Sequence, residues 1–241
     1  MVKRDLYLNQ IIAFIDKPLV KVITGIRRSG KSILMKLLRD ELLQRQVAES
    51  QIIYLNFESF ETSALANAEL LYEHIKNRVV PAKRNYILLD EIQEVTSWEK
   101  AVNSFLTDFD VDIYITGSNS RLLSSELATY LAGRYVEIHI FTLSFSESLL
   151  FNEERTGEKN VDIHHAFERF LRLGGFPVLH IAEYSRETAA KIVSDIYASV
   201  ILRDTIQRNN IRDVELLERV VRFVFDNVGN KFSARNVARL F

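Results

Sequence analysis

Residues 25–32 read GIRRSGKS and follow directly on the short apolar run LVKVIT (19–24). Behind them, ILMKLLRDELL repeats apolar residues at helical spacing with charges on the opposite face. The spacing G-x-x-x-x-G-K-[ST] is met at Gly25, Gly30, Lys31 and Ser32, between a strand and a helix as the pattern requires. Gly25 and Gly30 let the backbone turn so that the N–H groups of Ile26, Arg27, Arg28, Ser29 and their neighbours point inward at phosphate oxygens. The helix N-terminus adds partial positive charge, Lys31 reaches the outer phosphates, and the Ser32 hydroxyl is placed to ligate Mg²⁺. The alternative is an ordinary strand–helix turn; its placement argues for a phosphate loop.

Such a loop demands a parallel sheet, and the chain supplies the remaining strands. QIIYLNF (51–57), NYILLDE (85–91), VDIYITG (111–117) and YVEIHI (135–140) alternate with helical stretches at 65–80 and 97–109, and with a further helix between the last two strands. Ser97 is the expected N-cap of the second of these helices. Four consecutive apolar residues within NYILLDE indicate burial on both faces. The expected fold is therefore α/β, a five-stranded parallel sheet covered by helices. Strand signals stop near residue 145, where helical patterns take over.

Chemistry follows from where the strands end. Asp90 closes a buried strand, where its carboxylate can hold Mg²⁺ through a water. Glu91, next to it, is placed to orient and deprotonate an attacking water, or merely caps the strand. Gln93 and Glu94 read as exposed polar residues. After VDIYIT, Ser118 and Asn119 either contact a γ-phosphate or cap a helix. The pair Asp90-Glu91 favours hydrolysis over phosphoryl transfer to a small molecule, which needs no water activator.

Taken together, GIRRSGKS, YILLDEIQ, YITGSNS and LAGRYVEIHIFTLSFSE resemble the AAA+ ATPases, and more narrowly the bacterial and archaeal ATPases close to the STAND signalling NTPases. The resemblance runs from about Val2 to the C-terminus. It implies ATP as nucleotide and a sheet ordered 5-1-4-3-2, with the GSNS strand beside the first, which favours Ser118 or Asn119 as a γ-phosphate sensor. It also implies that Arg134, just before the fifth strand, is an arginine finger acting on a neighbouring subunit in a homo-oligomer; a surface pairing with Glu137 is the alternative. Arg121 is a weaker finger candidate. Gly175-Phe176-Pro177 matches a G-x-P motif in which Pro177 packs on adenine, with Leu6 or Tyr7 closing the other side of the base. Without the resemblance, the same stretch reads as a helix–helix turn with Gly174 at its end.

Three regions are expected: a nucleotide-binding domain over 1–145, a helical lid over 146–210, and a partial winged helix over 211–241. In the last, Asp213 and Ser233 cap two helices around a turn at 228–231. From Arg222 to Phe241, four Lys or Arg against one Asp give a local charge of +3, the basis for a DNA or protein partner there; a lid-packing helical pair is the alternative. The chain stops inside an apolar helical pattern, so a truncated winged helix is expected. The net charge of the whole is only −1, no apolar run reaches membrane-spanning length, and there are no cysteines. A cytoplasmic protein with no membrane partner is expected. The functional expectation is an Mg²⁺-dependent ATPase, or a slowly hydrolysing nucleotide switch.

Overall fold

The computed structural model describes residues 2–117, 131, 133–159, 161–202, 205–206, 209, 211–231 and 233–239. These residues fall into two compact units, 1–185 and 186–241.

The first unit is built on five parallel strands: β1 (Val20–Gly25), β2 (Ile52–Asn56), β3 (Asn85–Asp90), β4 (Val111–Thr116) and β5 (Tyr135–Ile140). Their order is β2-β3-β4-β1-β5, the order the sequence resemblance implied. Every residue of β1, β3 and β4 is buried. Their side chains alternate between two cores, as a sheet covered on both faces requires. In β3, Ile87 and Leu89 pack under α3 (Ala68–Lys76) and α4 (Trp98–Asp108), whereas Tyr86 and Leu88 face α1 (Asp5–Ile12) and α2 (Lys31–Gln44). Helix α1 was not anticipated. Its Tyr7, Leu8 and Ile11 are buried against the α2 side of the sheet.

Local rules account for most element ends. Asn67 caps α3 by accepting from Leu70 N. Ser97 stands at the N-cap of α4, but in the left-handed region (φ 56°) and with no side-chain cap bond. Beyond β5, α5 (Phe145–Thr156) opens with a capping box in which Ser144 and Glu147 exchange hydrogen bonds, and α6 (Ile163–Leu173) is capped by Asp162. This helical segment belongs to the same compact unit as the sheet.

The second unit contains α7 (Arg186–Ile196), a π-helical stretch Tyr197–Leu202, α8 (Val214–Asp226) and α9 (Ala234–Val237). Asp213 accepts from Leu216 N and Ser233 from Asn236 N, so both expected caps are present. No helix among the described residues is long and apolar enough to cross a membrane.

At the amino end of the strands a buried polar group locks the two central strands together. Lys21 of β1 and Asp112 of β4 are fully buried and ion-paired, and Lys21 also donates to Lys17 O at 2.9 Å. Asp112 accepts in addition from Tyr114 OH and Asp16 N, each at 2.8 Å. Burial holds the Lys21 ammonium below its ordinary range, an effect that Asp112 opposes. Removing one partner of such a pair strands the other charge in the core. Asp112→Ala should therefore lower stability by about 3–5 kcal/mol in chemical denaturation, and Lys21→Met combined with Asp112→Leu should cost less than either single change.

Candidate functional site

Parallel strands bring all their carboxyl ends to one edge. The register pairs Gly25 with Ile140, Asn56 with Asp90, and Leu89 with Ile115, so the ends of β1, β2, β3 and β4 form one rim. Gly25 (φ 149°) could carry no side chain here, because a Cβ would collide with the Ile140 carbonyl. The loop that follows wraps from Ile26 to Gly30, with Ser29 N donating to Ile26 O at 3.2 Å. Arg27 is half-buried, Arg28 is exposed, and Ser29 is fully buried.

Helix α2 starts without a side-chain cap, since its N-cap is Gly30. The first-turn N–H groups of Lys31, Ser32 and Ile33 thus lack intrahelical acceptors. Lys31 is buried, and its ammonium donates to Gly25 O at 3.1 Å and Ile26 O at 3.4 Å while lying 3.4 Å from Glu91 Oε1. Ser32 is half-buried on the same turn.

Asp90 is fully buried at the end of β3. Its Oδ1 accepts from Thr116 Oγ1 at 2.5 Å and its Oδ2 from Tyr54 OH at 3.1 Å. Burial, then the adjacent Asp90 charge, pushes the Tyr54 phenol up, so it stays protonated and donates. Thr116 does double duty, because its Oγ1 also accepts from Glu91 N at 2.9 Å. Glu91 itself is 5% exposed and adopts φ 56°, a left-handed conformation that costs a residue with a Cβ roughly 1–2 kcal/mol. Its backbone is held there by Thr116, and its side chain by Lys31 and by Gln93, whose Nε2 donates to Oε2 at 2.6 Å. Glu58, on the loop after β2, faces the same group: burial and then Glu91 raise its carboxyl's proton affinity, with Arg27 opposing.

Sequence reasoning named Lys31, Ser32, Asp90 and Glu91, and the fold brings all four to this rim. It missed Tyr54, Thr116, Gln93 and Glu58. Thr116 was the most findable of these, as the polar last residue of a strand otherwise paired on both sides. Ser118, Asn119 and Arg121 lie outside the described residues; Gly117, just before them, donates to Ile23 O of β1 at 3.3 Å. Arg134 is exposed and away from Lys31's pocket of partners. It donates to Asn103 Oδ1 at 2.6 Å, not to Glu137, which instead accepts from Thr24 Oγ1.

Next to the loop lies a cavity of about 300 Å³, mostly apolar, lined by Gly30, Ile33, Leu34, Leu37, Phe151 and Pro177. Pro177 is carried in on a tight approach: Gly175 O accepts from Leu143 N at 2.7 Å, and a Cβ on Gly175 would strike the Leu143 carbonyl. Gly174 ends α6 with φ 73°, as expected. Leu6 and Tyr7 do not line this cavity. Leu6 is exposed, Tyr7 is buried with its hydroxyl accepting from Phe141 N, and Val2 and Arg4 reach the wall instead. The reason is that 5–12 is a helix that turns Tyr7 into the core.

Arg4 ties the rim to α5. Its guanidinium donates to Ser29 O and Phe141 O at 2.9 Å, to Thr142 O at 3.3 Å, and to both oxygens of Glu147 at 2.7 and 3.1 Å. Burial works to raise the Glu147 carboxyl's proton affinity, but hydrogen bonds from Arg4 and Ser144 win and hold it below the usual range. A depressed folded value stabilises above the unfolded value and is lost as pH falls through the folded one. Glu147→Gln should thus cost about 2 kcal/mol at pH 7, measured by denaturation, with the difference from wild type shrinking below about pH 4.

The chain matches the AAA domain family over residues 17–149 and a domain of unknown function (DUF8612) over 164–241. It is 43% identical over 231 residues to an uncharacterized protein of Haemophilus influenzae, covering 95% of this chain and 56% of that protein. It is 30% identical over 226 residues to an uncharacterized protein of Methanocaldococcus jannaschii, covering 92% and 49%. The chain thus spans about half the length of the curated relatives it matches. Among solved structures it is similar to C. elegans PCH-2 (16% identity, 80% of this chain, 58% of that chain, TM-score 0.45). It is also similar to a DNA polymerase III gamma subunit-related protein of Thermotoga maritima (14% identity, 89% and 66%, TM-score 0.48). With a phosphate-loop sheet at its centre and the family match spanning more than half its length, the chain belongs to the AAA domain family.

Proposed function

We propose that the chain is an Mg²⁺-dependent ATPase of the AAA+ class, coupling ATP binding and hydrolysis to conformational change. The observation that carries this is the meeting of Lys31 and Glu91 at 3.4 Å, on the rim where Asp90 ends β3 and an uncapped helix begins. The residues suit both groups. Uncapped N–H groups and a buried ammonium suit a polyphosphate, and the Pro177 cavity beside Gly30 suits an adenine. Mg²⁺ keeps several waters and takes few protein ligands, which fits one Ser32 hydroxyl and Asp90 acting through water. Among the described residues no cluster of three or more His, Cys, Asp or Glu could hold a metal by itself.

When bound, Mg²⁺ supplies charge neutralisation on the phosphate oxygens. The protein's part is then as follows. Lys31 leaves Glu91 for the outer phosphate oxygens, where a desolvated charge pair is strong. Glu91 Oε1, relieved of Lys31, takes a proton from the attacking water. Ser118 or Asn119 contacts the γ-phosphate. Arg134, exposed on the surface before β5, reaches the nucleotide of a neighbouring subunit. Residues 146–210 act as a helical lid, and 211–241 form a partial winged helix that presents a basic face to DNA or protein. A slow, STAND-like switch is the second reading. It is favoured by the Lys31–Glu91 contact, since each group occupies the other until nucleotide separates them.

Glu91→Gln should bind ATP as wild type does but lose turnover by about a hundredfold or more, whereas Lys31→Ala should lose binding. Phosphate release and nucleotide titration separate the two; turnover retained by Glu91→Gln removes Glu91 as base. A wild-type rate of about one per minute or slower would favour the switch.

If Arg134 acts across subunits, specific activity rises with protein concentration. A mixture of Arg134→Ala and Glu91→Gln chains then regains part of the activity, because one interface joins an intact base to an intact finger. No rescue, with activity independent of concentration, leaves Arg134 as a surface residue bonded to Asn103.

A further inference from the structure

The reaction proposed above leaves Gln93 without a part, although it touches the base. Glu91 stands left-handed, and the single 3₁₀ turn Ile92–Glu94 that follows curls the chain back, so that side chains 91 and 93 meet. Gln93 Nε2 donates to Glu91 Oε2 at 2.6 Å, a short charge-assisted bond. The two carboxylate oxygens therefore have partners of different kinds. Oε1 faces the Lys31 ammonium, a cation from the first turn of α2 that phosphate can draw away. Oε2 faces a neutral amide two residues along the same turn, which no phosphate competes for. The amide cannot be reversed, since that would set its carbonyl oxygen against a carboxylate oxygen. Gln93 Oε1 is buried and has no hydrogen-bond partner among the described residues. The side chain leaves this acceptor orphaned while Nε2 stays on Glu91, and an unmade buried hydrogen bond is unfavourable.

We propose that Gln93 is a positioning residue for Glu91, holding Oε2 so that Oε1 faces the attacking water once Lys31 has moved to phosphate. The proposal rests on the reading of Glu91 as base. Without the amide, a carboxylate that has lost Lys31 is free to sample other rotamers, and the base is in place for only part of the time.

Two measurements test it on the full chain. In Gln93→Leu, which keeps the side chain's bulk, kcat should fall about tenfold or more while KM for ATP stays within about twofold. Gln93→Glu, which sets a second carboxylate against the first, should be at least as slow. An unchanged kcat, or a fall matched by a rise in KM, overturns the proposal. The second measurement needs no turnover. In the ¹⁵N–¹H spectrum of the nucleotide-free protein, one side-chain amide proton of Gln93 should lie well downfield and return to the free-amide position in Glu91→Ala, with the rest of the spectrum retained. A Gln93 amide indifferent to Glu91→Ala overturns the contact. A wild-type chain without turnover would instead strike the proposed function and the kinetic role with it, leaving the amide signal to decide whether Gln93 holds Glu91.

Discussion

A guanidinium can be buried only if its N–H groups find acceptors, and the environment of Arg4 meets that demand by pulling four separate pieces of chain together. One acceptor is the Ser29 carbonyl of the phosphate loop, two are the carbonyls at the end of β5, and the last is the Glu147 carboxylate in the first turn of α5. Its cation also lies 4.5 Å over the Tyr7 ring, so the entry to α1 is fastened by the same side chain. The loop's curvature, the turn out of the sheet and the start of the helical segment are therefore not independent. A shift in any one leaves a buried charge short of a partner, and the geometry of the nucleotide rim inherits that rigidity.

The two ends of the sheet use buried polarity for opposite purposes. At the amino end, Lys21 and Asp112 neutralise each other across β1 and β4, with Asp16 N and Tyr114 OH donating to Asp112 and Tyr86 OH to Asp16. At the carboxyl end, Asp90 is satisfied by hydroxyls from Thr116 and Tyr54, which are neutral donors. A neutral donor fixes a carboxylate's position without cancelling its charge. The adjacency of β1 and β4, enforced from the far end, keeps the rim that carries Asp90 together.

What could be read from the residues was what local spacing encodes. The GIRRSGKS turn, the apolar run ending in Asp90-Glu91, and the caps Asp213 and Ser233 each depend on neighbours within a few positions, and each is where the pattern placed it. The strand order followed from the resemblance and not from any pattern in the residues themselves. Arg4 and Tyr54 were invisible for a physical reason: their partners lie 25 to 143 residues away, so no window along the chain contains both members. Helix α1 was missed because DLYLNQII is short and its start, at Arg4, has no side-chain cap. Ser97 shows the converse, a residue ideal for capping whose φ of 56° takes its hydroxyl away from the helix N–H groups.

Gln93 lies between these cases. It is only two residues from Glu91, so distance along the chain did not hide it; backbone conformation did. In an extended strand, residues 91 and 93 would share a face with their Cα atoms roughly 7 Å apart and their side chains running side by side. Here a left-handed Glu91 is followed at once by a 3₁₀ turn, and the two side chains meet in a 2.6 Å hydrogen bond. The same backbone departure aims the Glu91 side chain at Lys31. Thr116 makes it tolerable by accepting from the Glu91 N–H, which the end of the β3 ladder would otherwise leave without a partner. The strain at this one residue is thus offset by a hydrogen bond from β4 and is spent on bringing a carboxylate, an ammonium and an amide within reach of one another. Such a conformation persists only where the surroundings over-determine it, and here they do so from three directions.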